Sequence, residues 1–437
     1  VTLERFKTGV LIVLVFFSIV MSAAIWTYAP PSAAGDNPRS YGPPDPSYGP
    51  VKTVEQVINP SQIVIHLGSG KHTVLRPFEI DSTKLLESLK GISVYAPTSG
   101  PFTESDWAKV VNQKGVELDF GLTLTSPLLH QLLSFVVASG PNVHARMIYI
   151  TEADHNDWMV WLFNGIEQPA FSARISLNSV NLSSFIAIYA KKYPGYTVYQ
   201  SMSQSYYLPV NPVSVPIEVR KVVSWDGNRL ARQYFADPFL MKRISDIAGV
   251  SVYTDGSHGV TVDQKSNTLT YENSSSTATN FNSATPINLQ LQKVLDFVHS
   301  GGDLPGDWLV YQNDNIGTPA NESNFAFKQY INGMPIHNMI SYTPVTMVSS
   351  AVVSQTRSLQ NIGTIVNENY ETVMSASQLF AALKRDGVHS NQVTEVYLGY
   401  GIILLSENQL KLAPVYVMQL DGLEKVFDAS TGMPFVG

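Results

Sequence analysis

The chain of 437 residues contains no cysteine. Disulfide staples, thiolate zinc sites, iron–sulfur clusters and cysteine nucleophiles are therefore excluded. Charge is scarce as well: Asp, Glu, Lys and Arg make up 14% of the residues, against about 25% in ordinary soluble domains. What charge there is leans acidic, 35 Asp and Glu against 28 Lys and Arg, which makes the chain a poor partner for nucleic-acid phosphates. Ser, Thr, Asn, Gln and Tyr carry the polar load instead, a pattern that suits an extracytoplasmic surface. A hydrophobic fraction of 44% rules out wholesale disorder. The length predicts about two or three domains with real cores.

Long apolar runs are absent but for one. Gly9 to Tyr28 reads GVLIVLVFFSIVMSAAIWTY with no charge. About 20 residues at 1.5 Å rise match a hydrocarbon core of about 30 Å, and the run lacks the polar stripe of a surface helix. Arg5 and Lys7 precede it and Asp36 is the next charged residue, so the positive-inside rule leaves the N-terminus cytoplasmic and the bulk of the chain outside. Trp26 and Tyr28 stand at the outer end, where amphipathic rings favour the interface. The rival reading is a signal peptide cleaved after Ser32-Ala33-Ala34; against it, the run exceeds the usual h-region of about 7–15 residues. The expectation is a retained single-pass anchor. Ser18 and Ser22, four apart, form a small-xxx-small pair with Leu11, Val15 and Ile25 along the same side. Such a face lets a neighbouring helix approach closely in lipid.

Prolines at 30, 31, 38, 43, 44, 46 and 50 make the following stretch a semi-rigid spacer. Beyond it the pattern predicts three α+β units, 51–215, 216–345 and 346–437, built from antiparallel sheets with packed helices. In the first, Ile63-Val64-Ile65 and Ile92 to Tyr95 read as strands, Ser82 caps a helix to Leu89, and Thr103 caps another with Asp106 three residues on. Val116-Glu117-Leu118-Asp119-Phe120 alternates as a half-buried strand, and Leu128 to Val137 reads as a short apolar helix. In the second, Asp237-Pro238 opens a helix. Asp255-Gly256 and Asn332-Gly333 turn hairpins, and Pro286 to Val298 is an amphipathic helix ended by Gly301-Gly302. The third is a helix from Ser375 to Lys384 followed by strands at Glu395 to Tyr400, Gly401 to Ser406, Leu412 to Leu420 and Lys425 to Asp428.

Four features in this order are familiar: the anchor end Ile25-Trp26-Thr27-Tyr28 before proline; Tyr253-Thr254-Asp255-Gly256 ahead of a strand ending at Tyr271; FKQYINGMPI from Phe327 to Ile336; and Leu412-Ala413-Pro414-Val415-Tyr416-Val417 followed by Asp421-Gly422. Over essentially its whole length the chain resembles the YycH family, membrane-anchored regulators of an essential two-component system in Gram-positive bacteria. The resemblance implies association with the WalK (YycG) sensor histidine kinase and with a YycI-type protein, adjusting kinase output that controls cell-wall metabolism. It implies no enzyme activity and no cofactor, and it makes Gly9 to Tyr28 the expected contact with the kinase's membrane helices.

A search for chemistry in the residues themselves finds little. No two of the nine histidines stand four apart, and there is no H-E-x-x-H. Glu152, Asp154, His155 and Asp157 are the densest polar cluster, and a solvated loop explains them. Turn chemistry explains His258 beside Asp255. Gly68-Ser69-Gly70-Lys71 lacks the upstream spacing of a phosphate loop and reads as a turn, and no G-x-S-x-G elbow exists. No metal site is expected. Tyr193, Tyr196, Tyr199, Tyr206 and Tyr207 form an aromatic run suited to gripping a partner protein or a glycan; ordinary core-edge packing is the alternative. Two further function classes stay open on this reading, a wall-binding module using those tyrosines and, with less support, an extracytoplasmic hydrolase.

Overall fold

The computed structural model of the chain describes residues 52–437 except 102, 135, 139–142, 154–156, 165–169, 177–181, 201–204, 248, 275–286, 303, 313–321, 349–350, 386 and 421, together with positions 7, 14, 15, 17 and 18. Two units separate, Val1–Ser40 and Tyr41–Gly437. In the first, Leu14, Val15, Phe17 and Ser18 are helical and exposed. Most of the apolar run 9–28 and the proline-rich stretch 30–50 lie outside the described residues. Among the described residues no helix is long and apolar enough to cross a membrane.

The second unit is α+β, as the sequence pattern predicts. Its first sheet has ten strands in the spatial order Ser205–Pro209, Tyr196–Gln200, Lys71–Leu75, Pro60–Gly68, Lys114–Thr125, His144–Glu152, Trp158–Phe163, Ala170–Ser176, Ser93–Gly100 and Val136–Ala138. Neighbours are antiparallel apart from the last pair, which is parallel. The strand period of two sorts the side chains. Ile63, Ile65, Val116, Leu118, Phe120, Ile148 and Ile150 face the helices Ile80–Ser88, Ser126–Leu133 and Leu182–Lys192, whose leucines complete that core. On the opposite face the helix Glu104–Val110 lays Trp107 and Val110 against Met147, Tyr149 and Phe163. Thr103 and Asp106 form the predicted reciprocal cap of that helix: Asp106 N–H donates to the Thr103 hydroxyl at 3.3 Å, and Thr103 N–H donates to the Asp106 carboxylate at 3.1 Å.

Lys114–Thr125 is therefore not half-buried. Glu117 and Asp119, expected to face water, are 2% and 8% exposed, because helix Glu104–Val110 and the second sheet cover the face they occupy. Three further expectations change. Helix Ile80–Ser88 starts before Ser82, which lies in its first turn and donates to the Glu79 carbonyl at 2.7 Å; Glu79 holds the N-cap position without a side-chain cap. The apolar run from Leu128 splits into helix Ser126–Leu133 and strand Val136–Ala138. Asp237-Pro238 opens no helix: the Asp237 carboxylate accepts from Phe239 N–H at 2.9 Å in a turn that runs into the edge strand Lys242–Ile247. The helix of that region lies earlier, at Gly227–Arg232, capped by Asp226.

The second sheet has fourteen strands, from the edge strand Lys242–Ile247 to the edge strand Gln360–Val373. Its hinge is the hairpin Glu322–Ile331 and Met334–His337, turned by Asn332-Gly333. Met334–His337 also pairs in parallel with Val393–Ser406, Ile336 opposite Tyr400, and so joins two antiparallel meanders into one sheet. Helix Ile287–Ser300 packs on the first meander through Leu291, Val294, Leu295 and Val298. Helix Ala376–Arg385 packs on the second through Leu379 and Leu383. The predicted strands 395–400 and 401–406 are one continuous strand, Val393–Ser406, paired along its length with Gln409–Leu420.

Candidate functional site

A buried polar chain crosses the middle of the first sheet. The turn at residues 68–70 closes a hairpin whose register sets His66 opposite His72. Their Nδ1 atoms lie 2.9 Å apart. His66 Nε2 is 3.1 Å from the Glu117 carboxylate, and the Tyr207 hydroxyl donates to the same carboxylate oxygen at 2.6 Å. Tyr149 packs edge-on against His66, ring centroids 4.8 Å apart. With His66 Nε2–H donating to Glu117, its Nδ1 accepts from His72 Nδ1–H, and His72 Nε2 is left as a buried lone pair with no partner. That is the less costly orphan, since an unpaired N–H is the rarer one in native folds.

Desolvation governs the titration of this chain. Burial pushes the Glu117 carboxyl up to about 7, opposed by the hydrogen bond from Tyr207. Burial pushes His66 down to about 3. Burial, with the charge of His66 added, pushes His72 down to about 4. The lowest-charge state, a protonated carboxyl among neutral imidazoles, is the one the surroundings favour.

Next along the strand, Asp119 opens onto a cavity of about 400 Å³ between the two sheets. Burial raises its carboxyl to about 6, the charge of Arg146 opposes the rise and that of Glu117 adds to it. Arg146 Nε lies 3.4 Å from Asp119 Oδ1 and donates at 3.2 Å to the Phe120 carbonyl. The second sheet contributes Glu395, Tyr311, Tyr330 and Lys328 to the wall. The Tyr311 and Tyr330 hydroxyls hydrogen-bond to each other. Lys328 Nζ stands over the rings of Tyr311 and Tyr397, 5.4 and 5.9 Å from their centroids. A second cavity of about 570 Å³ adjoins this one, sharing Lys328, Tyr342 and Glu424.

The predicted tyrosine run is divided between surface and interior. Tyr206 and Tyr207 are buried, so their area is spent within the fold. Tyr193, Tyr196 and Tyr199 are half-buried. The Tyr193 hydroxyl donates to Asp81 at 2.7 Å, tying the chain to helix Ile80–Ser88. Tyr199 stacks on Tyr206, centroids 5.6 Å apart, and meets Phe380 of helix Ala376–Arg385 at 4.9 Å. The stretch thus links the first sheet to the last helix. Of the predicted membrane-helix face, Val15 and Ser18 are described and exposed, whereas Leu11, Ser22 and Ile25 lie outside the described residues. So do Asp154 and His155 of the acidic cluster. His258 Nδ1 sits 2.9 Å from Asp255 in the hairpin turn, and residues 68–71 form a turn as expected. Among the described residues no group of three His, Asp or Glu side chains is placed to hold a metal.

Sequence spacing alone hides His66 and His72. Histidine pairs four apart suit a helix; on a hairpin the relevant spacing is symmetric about the turn. The turn at 68–70 is legible in the sequence, so the pairing is open to a cross-strand count.

Comparisons with known proteins supply the wider context. The family model for the YycH protein N-terminal domain matches residues 4–169, and that for the YycH protein C-terminal domain matches residues 203–427. The "Two-component system WalR/WalK regulatory protein YycH" of Bacillus subtilis (strain 168) is 21% identical over 452 residues, covering 96% of this chain and 95% of that protein. The crystal structure of YycH from Bacillus subtilis superposes with a TM-score of 0.67 at 14% identity, over 86% of this chain and 97% of that one. That likeness concerns the fold, whereas the two domain matches span most of the sequence in the right order: the chain belongs to the YycH family.

Proposed function

We propose that this chain is a single-pass, membrane-anchored, non-enzymatic regulator of a sensor histidine kinase of the WalK (YycG) type, acting on cell-wall metabolism with a YycI-type partner. The observation that carries the reading is the pair of YycH domain matches on one chain, beside a relative whose name places it in the WalR/WalK system. The uncharged apolar run Gly9 to Tyr28, preceded by Arg5 and Lys7, supports the anchor and an extracytoplasmic bulk. In this mechanism the anchor packs beside the kinase's membrane helices through Leu11, Val15, Ser18, Ser22 and Ile25, and the folded unit biases the same assembly from outside. A bias of roughly 1–3 kcal/mol toward one kinase conformation shifts its equilibrium roughly 5–150-fold.

The test replaces Gly9 to Tyr28 with an unrelated membrane helix of equal length. Recovery of the kinase after crosslinking in membranes should be lost while the folded unit is retained. Unchanged recovery would move the contact off the helix. Ser18→Leu with Ser22→Leu tests the narrower face, and kinase output equal to that of the unmodified chain would reject it.

A further inference from the structure

We infer that the turn from Asp237 to Met241 is a membrane-docking wedge: Phe239 and Leu240 enter the interfacial layer of an anionic bilayer while Arg232, Lys242 and Arg243 lie toward its headgroups. This docking deepens the anchored reading and rests on it for the nearness of a bilayer. Three features carry it.

The first is a fixed apolar protrusion. Phe239 is 98% exposed, more than any other large apolar side chain among the described residues, and Leu240 and Ile244 are each 63% exposed. The turn that presents them is built, not loose. Pro238 locks its own φ, the Asp237 carboxylate accepts from Phe239 N–H at 2.9 Å, and Leu240 N–H donates to the Asp237 carbonyl at 3.1 Å. Both roots are held: Tyr234 and Phe235 are buried before it, and Lys242–Ile247 pairs with Val250–Thr254 after it. Isolated exposed hydrophobes are ordinary, but a phenylalanine, a leucine and an isoleucine on one held turn and the strand it feeds form a contact surface. The second is charge. From Arg229 to Ile244 the sequence carries Arg229, Arg232, Lys242 and Arg243 against Asp237 alone, in a chain that leans acidic. Asp226, the acid before this stretch, is occupied in capping helix Gly227–Arg232, and Asp246 is the next after it. Arg232 and Lys242 are exposed; Arg243 lies along the sheet, donating to the Ser251 hydroxyl at 2.8 Å, and adds to the field. Basic residues that flank an apolar wedge are drawn to anionic headgroups within about a Debye length. The third is position. Lys52, where the described part of the folded unit begins, donates to the Gly306 carbonyl at 2.6 Å. Gly306 belongs to the loop that leaves helix Ile287–Ser300, and at the head of that loop a Cβ on Gly301 or Gly302 would lie 2.6 Å from Tyr234 or from Leu230, the residues that lead into the wedge. The chain thus arrives from its anchor on the side that carries the turn. Tethering there raises the effective concentration of bilayer at the wedge, so a shallow contact suffices.

The experiment uses the absence of cysteine. Ala236→Cys places a single thiol beside the wedge for an environment-sensitive fluorophore. The full labelled chain is reconstituted into phosphatidylcholine vesicles with and without about one-third phosphatidylglycerol, and quenching by a nitroxide-bearing lipid is read. Strong quenching is expected in the anionic vesicles, at least about threefold weaker quenching in the neutral ones, and a decline with added salt. Phe239→Ser with Leu240→Ser, and separately Arg232→Gln with Lys242→Gln, should each lower the ratio of docked to undocked chain about tenfold or more; all four side chains are exposed, so the fold should tolerate both. A label on Glu368→Cys, on the opposite edge strand Gln360–Val373 of the same sheet, should stay open to water. Retention of the chain on the vesicles after an alkaline wash reports the anchor separately. A retained chain whose label at Ala236→Cys is not quenched by lipid overturns the wedge and leaves the anchor standing; a chain that washes off overturns the anchored reading and the wedge with it. Equal quenching in neutral and anionic lipid, or equal quenching of the two labels, would also overturn the assignment. A label shielded from water yet not quenched by lipid would give the surface to a protein partner instead, a second copy of this chain included.

Discussion

Gly333→Ala is expected to lower the stability of the folded unit by about 3 kcal/mol, more than its size suggests. Gly333 closes the hairpin between Glu322–Ile331 and Met334–His337 with φ +67°, and a Cβ there would lie 2.4 Å from Arg76 Cβ and 2.7 Å from the Pro77 carbonyl oxygen. Neither obstacle is the free end of a flexible side chain, so backbone must move. The left-handed conformation alone costs a non-glycine residue roughly 1–2 kcal/mol, and forced overpacking adds roughly 1–3. The contact is where the two sheets meet. The turn after Lys71–Leu75 carries Arg76, Pro77 and Phe78, and the Phe78 ring packs against Tyr330 at 5.9 Å. Beside Gly333, Asn332 donates to Glu218 at 2.8 Å. Gly256→Ala isolates the conformational part: its φ is +96° and nothing lies within 4 Å of the added carbon, so about 1 kcal/mol should be lost. Urea denaturation of both variants separates the two contributions through the midpoint at constant slope. Equal losses would mean that the turn yields to the added methyl and the sheets are not locked there.

Local signals carried much of this architecture. Asp255-Gly256 and Asn332-Gly333 both turn the hairpins predicted for them, but differently: Asn332 and Gly333 both take positive φ, a demand few residue pairs meet, whereas at Asp255-Gly256 only the glycine does and the Asp255 carboxylate accepts from Ser257 and His258 N–H instead. Helix Ile287–Ser300 shows in its apolar spacing, and Thr103 with Asp106 is a cap whose partners are three residues apart. What failed to show was set by distant chain. Asp237-Pro238 satisfies every local rule for a helix start, yet pairing of Lys242–Ile247 with Val250–Thr254 takes the following residues into a sheet edge. Glu117 and Asp119 alternate with Val116, Leu118 and Phe120 in the manner of a strand with one wet face; that face is dry because Glu104–Val110 and the second sheet arrive to cover it. The candidate site is of the same kind. Its acids read as surface until the covering elements are known, and Tyr207, which reads as a gripping residue, reaches Glu117 from 90 positions away.

Glu117→Gln is expected to reshape the pH dependence of stability, and the direction follows from the two kinds of group in the chain. Glu117 titrates near 7 when folded and near the ordinary 4.3 when unfolded. The stability from its neutral form is complete below about 4.3 and is lost as pH rises through 7. His66 and His72 run the other way. Their folded values of about 3 and about 4 lie below the ordinary 6.5, so the stability from keeping them neutral is complete above about 6.5 and is lost as pH falls through 4 and then 3. Between about 4.3 and 6 Glu117 offsets one of the two histidines and Asp119, pushed up to about 6 by burial, offsets the other, so the unmodified protein should show a shallow profile there. Glutamine keeps an acceptor for the Tyr207 hydroxyl and His66 Nε2 but cannot ionise. The variant should therefore gain stability with pH across that interval, since the two histidines then outweigh Asp119 alone, and should not decline toward pH 7. Relative to the unmodified chain it gains up to roughly 3 kcal/mol between about pH 4.3 and pH 7, since each tenfold change in proton affinity between the folded and unfolded chain is worth about 1.4 kcal/mol. Asp119, pushed up to about 6 by burial, is present in both proteins and drops out of the difference apart from the small contribution of Glu117's charge. Urea midpoints at about pH 5 and about pH 8 measure it. Parallel profiles for the two proteins would place the Glu117 proton outside the folding equilibrium and return the carboxyl to an ordinary solvated value. A variant whose stability stays flat with pH would remove the histidines from the account instead, and the two outcomes cannot be mistaken for each other.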